Sequence, residues 1–392
     1  MRRAAATPLL FALVAACGGG DGERPGASAL AAPRPASSAA VLAAPIPDSA
    51  FARLVRDLSE AGGYFDTDNL ISNESSYLHV LGPLRERAVG GGAYVGVGPD
   101  QSFAYLAALR PELAFIVDVR RDNVLQHLLF KAVFALSPTR AEYLAHLVGA
   151  SLPEDPESWS DLSAAELVER ASAHPPDPAW TELARARVDS VVAGLPVPLT
   201  DADRATVRRF HDAFLVEGLD LRFRTHGRAP RPYYPTLRRL LVERDLEGRE
   251  GSYLATEDGY RFVRDLQAAN RVVPVVGDLA GEHAVRTVGD ELRRRGLPIT
   301  AFYTSNVEFY LWQDRSFDRF AANVAALPWA EEGVLIRSYF PNRGAHPHGV
   351  PGYYSTQTLQ RARDVVAVGG REGFRSYVDL VTRDAIDPRP GG

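Results

Sequence analysis

Two stretches carry the residues best placed to hold a small molecule. Tyr94-Val95-Gly96-Val97-Gly98-Pro99-Asp100-Gln101 joins an apolar run to a helical one through a glycine turn, which lets main-chain amides approach a ligand closely. Leu113-Ala114-Phe115-Ile116-Val117-Asp118 ends on a carboxylate about 20 positions after Gly98, the spacing at which an acidic side chain accepts from ribose hydroxyls. Arg120 and Arg121 follow. Such a pair either clamps a carboxylate or phosphate bidentately or forms solvated charge at a helix start. Polar residues close the later apolar runs as well: Gly277 and Asp278; Thr304, Ser305 and Asn306 with Glu308 and Tyr310; and Arg337, Ser338 and Tyr339. Ligands of open parallel sheets lie outside the carboxyl ends of the strands. Polar chemistry at one strand end after another therefore points to a site along that edge.

The elements that must position these residues alternate. Strands are expected at 93–97, 113–118, 272–276 (despite Pro274), 299–303 and 333–337, with a last one near 374–381. Helices are expected at 49–61, 73–88, 101–110, 122–135, 282–295, 316–327 and 355–368. Strands separated by helices imply a doubly wound, mainly parallel α/β sheet covered on both faces. Residues 137–250 interrupt the alternation with a mostly helical insertion or cap. Its helix starts are signalled by Ser137-Pro138, by the capping box from Ser163 to Glu166, by Asp177-Pro178 and by Thr200 with Asp203. The core is thus expected in two parts, 48–136 and 251–385.

This arrangement resembles the Rossmann-like class I S-adenosylmethionine-dependent methyltransferases over roughly residues 50–135 and 250–385. The resemblance implies S-adenosylmethionine as cofactor. It places the methionine part on the glycine turn (Gly96, Gly98, Pro99, Asp100, Gln101), the ribose on Asp118 with Arg120 beside it, and the adenine amino group on Asp278. Asn306-Val307-Glu308-Phe309-Tyr310 stands where many amino-methyltransferases carry Asn/Asp-Pro-Pro-Tyr/Phe. It implies Asn306 orienting the acceptor, Glu308 as a base and Tyr310 packing on the substrate. The segment with Glu74 and Tyr77 stands where such folds often lid the cofactor, although Glu74 equally suits a helix N-terminus. Tyr94 occupies a position usually held by a carboxylate, and Asp100 that of a third glycine. The glycine and acid motifs also look like those of a little-characterised group of bacterial proteins with a methyltransferase-like core.

Arg2-Arg3 and the short apolar run 9–16 ending at Cys17 read as a signal peptide. Val14-Ala15-Ala16-Cys17 resembles the bacterial lipobox, which implies lipidation of Cys17 and a lipid-anchored place in the cell envelope. The alternative is an incidental apolar start on a cytoplasmic protein. Residues 17–47 read as a flexible tether. Cys17 is the only cysteine, so no disulfide framework exists. A net charge of −5 gives no basic field for nucleic acid. No P-loop and no Gly-x-Ser-x-Gly elbow occur. His346 and His348 lack the further ligands that would mark a zinc site, and a polar loop is the expected role. His127 and the only lysine, Lys131, share a helix face and read as packing. The alternative to an enzyme is an exported binding module that keeps the fold without the cofactor.

Overall fold

The computed structural model describes residues 44–173, 176–229, 231–341 and 344–391. The expected signal peptide, Cys17 and the tether up to residue 43 lie outside them. Six strands among these residues form one sheet: β1 (Ala93–Gly96), β2 (Leu113–Asp118), β3 (Val272–Val276), β4 (Ile299–Ser305), β5 (Trp329–Tyr339) and β6 (Thr356–Arg361). Their order is β3-β2-β1-β4-β5-β6. All neighbours run parallel except β5 and β6. The chain therefore leaves β1 toward β2 and β3, then returns to β1's other side as β4. That reversal opens a crevice at the carboxyl ends of β1 and β4. β2 is a continuous apolar run because both of its faces are buried. β3 tolerates Pro274 because it is an edge strand, where a missing N–H interrupts no ladder on the outer side.

The helices are α1 (Asp48–Asp57), α2 (Leu81–Glu86), α3 (Gln101–Leu109), α4 (Arg121–Leu136), α5 (Arg140–Val148), α6 (Ala164–Ser172), α7 (Pro178–Ala193), α8 (Asp201–Glu217), α9 (Leu237–Leu241), α10 (Glu257–Ala268), α11 (Ala284–Arg295), α12 (Val307–Gln313), α13 (Phe317–Ala325), α14 (Ala362–Val368) and α15 (Tyr377–Thr382). α3, α4 and α10 pack together, as do α11, α13 and α14, in keeping with a doubly wound α/β fold. α5, α7 and α8 of the helical block lie directly on α4. Their starts follow the sequence signals: Asp177 caps α7, and Thr200 with Asp203 forms the capping box of α8. α5 begins later than Ser137 suggests, because the box is made by Thr139 and Glu142. Lys131, on α4, reaches the carbonyl of Gln267 and lies 4.9 Å over the Phe51 ring.

Three expectations need correction. The helix expected over 73–88 survives only as α2, since Gly82 and Pro83 leave little room for helical propagation before it. The helix expected from 355 begins instead as strand β6. Thr356, Gln357, Thr358 and Gln360 are polar yet buried, so no apolar alternation marked them. The last expected strand, 374–381, is helix α15, started by the Ser376 side chain accepting from the Asp379 N–H.

Candidate functional site

A cavity of about 390 Å³ lies at the carboxyl ends of β1 to β4, within the size range of small-ligand sites. Its wall takes Val97, Gly98 and Gln101 from the first turn, Asp118 and Arg120 from the end of β2, Asp278 from the end of β3, and Ser305 and Asn306 from the end of β4. Phe65, Asn69, Asn73 and Glu74 complete it from the segment before α2. Gly98 sits at φ +79°, a conformation costly for other residues. Its carbonyl accepts from Asn123 Nδ2 at 3.0 Å and from His127 Nε2 at 2.9 Å. A carbonyl only accepts, so this contact fixes the imidazole proton on Nε2. Burial lowers His127 to about 4, which keeps the ring neutral. The sequence reading of His127 as packing missed this hold on the turn.

Asp118 reaches the cavity, but not as an open carboxylate. Arg120 grips it bidentately, Nε to Oδ1 at 3.0 Å and Nη2 to Oδ2 at 2.8 Å, and its N–H donates to Oδ1 at 2.9 Å. Of roughly four lone-pair sites on a carboxylate, this leaves one on Oδ2 for a hydroxyl. Arg120 Nη1 spends its protons on the carbonyls of Thr67 and Asp68, at 2.8 and 2.7 Å. Arg120 thus ties segment 65–74 to the sheet and does not reach for an anion. Arg121 turns the other way and grips Asp203 at the start of α8, with both bonds at 2.8 Å.

Glu74 is 1% exposed and belongs to the same wall. Its carboxyl meets the hydroxyls of Tyr303, Ser305 and Ser338. Burial pushes it above the ordinary carboxyl range, against the effect of those three donors. Gln101 donates to the Tyr303 hydroxyl at 2.8 Å, while its own Oε1 is buried with no partner. Ser305 holds φ +53° at the end of β4, a strained setting for a residue with a side chain.

A second cavity of about 610 Å³ shares Phe65, Asn69, Asn73, Ser305, Asn306 and Tyr310 with the first. The rest of its lining is largely aromatic, including Phe223, Tyr234, Phe340 and Tyr354, with Arg228 and Arg231 at hand. Tyr310 is 39% exposed and meets Phe65 edge-on at 5.2 Å between centroids. Tyr353 does not line it and bonds Glu243 at 2.8 Å. The aromatic residues from 223 and 234 come from the block between α8 and α9, which no local motif connects to the sheet edge.

Five expected site residues stand away from both cavities. Gly96 is a glycine to make room for a neighbour: a Cβ there would lie 2.6 Å from the Tyr94 ring. Pro99 is buried beneath the turn. Asp100 faces the core, 3.3 Å from the Tyr253 hydroxyl, and burial raises it to about 7. Tyr77 donates to the Leu240 carbonyl at 2.8 Å. Glu308 is held by Arg337 in a fully buried ion pair, with Thr304 at 3.3 Å, and so faces the core and lines neither cavity. Among the described residues no group of three His, Cys, Asp or Glu side chains converges as a metal site. His346 donates from its Nε2 to the Val381 carbonyl at 3.1 Å, and its Nδ1 accepts from the His348 N–H at 3.0 Å.

A mostly parallel wound sheet with a cavity at its strand reversal defines an α/β protein with a small-molecule-sized crevice. The chain belongs to the family described as a domain of unknown function, DUF7790, whose model matches residues 70–155 and 220–385. These two segments carry β1 to β6, and they leave α6, α7 and α8 unmatched. No curated protein matches the chain.

Proposed function

We propose that the chain is a methyltransferase-like protein that binds S-adenosylmethionine in the cavity at β1 to β4 and presents an acceptor from the adjoining aromatic cavity. The observation carrying this reading is the shared wall. Two cavities of cofactor and substrate size meet at Asn73, Ser305, Asn306 and Tyr310. Gly98, Asp118 and Asp278 stand around the first cavity where the resemblance to methyltransferases puts cofactor contacts, and an antiparallel strand beside β5 is in keeping with that fold. Methyl transfer needs an in-line approach and loss of one acceptor proton, so positioning dominates its chemistry. Asn306 and Tyr310 orient the acceptor in this reading, and Glu308 has no part in it.

The test is isothermal titration of the full chain with S-adenosylmethionine. Binding in the wild type, with at least about tenfold weakening in Asp278→Ala, supports the reading. Absence of binding overturns it. A second reading rests on the closure of Asp118 by Arg120: an exported lipoprotein, anchored through Cys17, that holds another small molecule without chemistry. No binding of S-adenosylmethionine, together with palmitate incorporation lost in Cys17→Ala, favours that reading.

A further inference from the structure

Proton counting around Glu74 identifies what the cavity lacks. The Tyr105 hydroxyl lies 2.7 Å from the Tyr77 carbonyl, and a carbonyl cannot donate, so the Tyr105 proton is spent there. The Tyr105 oxygen therefore accepts from Gln357 Nε2 at 3.1 Å, which turns Gln357 Oε1 toward Ser338 at 2.8 Å. Ser338 then stands between two acceptors, Gln357 Oε1 and Glu74, with a single proton to give. If Glu74 is ionised, one of those contacts is an unfavourable pair of oxygens. If Glu74 carries a proton, it donates to Ser338, Ser338 donates to Gln357, and every contact is satisfied. These contacts thus hold Glu74 as a neutral acid.

Among the described residues, the groups facing Glu74 supply no cation. They are Gln101 and Tyr105 from α3, Tyr94 from β1, Tyr303 and Ser305 from β4, Ser338 from β5 and Tyr377 from α15. The nearby Arg337 is committed to Glu308. Farther along the cavity lie the Asp118–Arg120 pair, Asp278, Asp314 and Arg319. Gln101, 6% exposed, adds a buried acceptor oxygen with nothing to accept from. A neutral acid without a counter-ion and an orphaned carbonyl oxygen in one wall share one remedy: a positively charged N–H donor.

We propose that this wall binds a primary ammonium group, held by Gln101 Oε1 and by Glu74 as its carboxylate, and that each binding event expels the Glu74 proton to solvent. This rests on the cofactor reading in that the methionine ammonium of S-adenosylmethionine is the natural occupant. The site is otherwise defined by its own chemistry. Ligand affinity rises with pH until Glu74 ionises unaided, because below that point ligand and proton compete for one carboxylate.

The experiment is calorimetric titration of the full chain between pH 5.5 and 7 in citrate–phosphate and in MES–imidazole, whose different protonation enthalpies report protons released. S-Adenosylmethionine is expected to release up to one proton at the acid end, and 5′-methylthioadenosine, which has no ammonium, none. Glu74→Gln is expected to abolish release and weaken the ammonium ligand about 10- to 100-fold, with methylthioadenosine unchanged. Gln101→Leu is expected to weaken it with release intact, which keeps the test valid if the Glu74 variant fails to fold. Binding of S-adenosylmethionine without proton release overturns the ammonium site and leaves the cofactor reading standing. If it does not bind, L-methioninamide replaces it: binding with release supports the site while the cofactor reading falls, and no binding of either overturns both.

Discussion

His127 offers a measurable link between the glycine turn and the stability of the whole fold. Its Nε2–H holds the Gly98 carbonyl at 2.9 Å, and burial lowers its pKa from 6.5 to about 4. The unfolded chain therefore binds a proton here that the folded chain refuses between those values. Stability from this residue is fully present above pH 6.5 and is lost as pH falls through about 4. A shift of about 2.5 units corresponds to about 3 kcal/mol in total, of which about 2.5 kcal/mol disappears between pH 7.5 and pH 4.5. The perturbation is His127→Gln, which keeps an amide donor for Gly98 but does not titrate, beside His127→Phe, which keeps a ring among Phe103 and Phe130 but cannot donate. Urea unfolding at the two pH values is the assay. His79 is also buried and lowered to about 4, so only the difference between wild type and variant counts. Both variants should lose about 2.5 kcal/mol less than wild type on acidification, and the Phe variant should be about 1 kcal/mol weaker at pH 7.5. Equal acid losses in wild type and Gln variant would refute a neutral, buried imidazole at this turn.

Two further substitutions test the placement of the site. Glu308→Ala strands the Arg337 guanidinium in the core and should cost about 3–5 kcal/mol in urea unfolding, while leaving ligand affinity at neutral pH within error; a loss of affinity without a loss of stability would restore Glu308 to the site. Gly98→Ala meets only ordinary contacts, the nearest atoms being Asn69 Nδ2 and Gln101 Nε2 at 3.5 Å, so its cost should be the about 1–2 kcal/mol of a side chain in left-handed backbone, read as a lowered melting temperature.

The strand edge was legible because the burial that makes β2 and β3 continuous apolar runs also makes their polar ends conspicuous. Capping residues fixed the starts of α6, α7 and α8, because a cap is a local bond between neighbours in sequence. What stayed hidden depends on partners far along the chain. β6 is polar because Gln357 and Gln360 answer Ser338 and Arg337 on β5, and no periodicity announces such an exchange. Glu74 read equally as part of a cofactor lid and as a helix-start charge; the hydroxyls of Tyr303 and Ser338, more than two hundred residues away, decide its state. Glu308 sat beside Asn306 in a promising motif, yet one helical turn carried it inward to Arg337. Spacing located the cavity; the state of each carboxylate was decided by tertiary neighbours.

The lone lysine gives the fold an internal reporter. Lys131 has its amine tucked against the Gln267 carbonyl and the Phe51 ring, and burial lowers it to about 8. Apart from a terminal amine, an acylating dye finds no other amine on this chain. Its rate of attachment at Lys131 therefore times the parting of α4 from α1 and α10, and slower labelling under a candidate ligand would mark that ligand as one the native fold recognises.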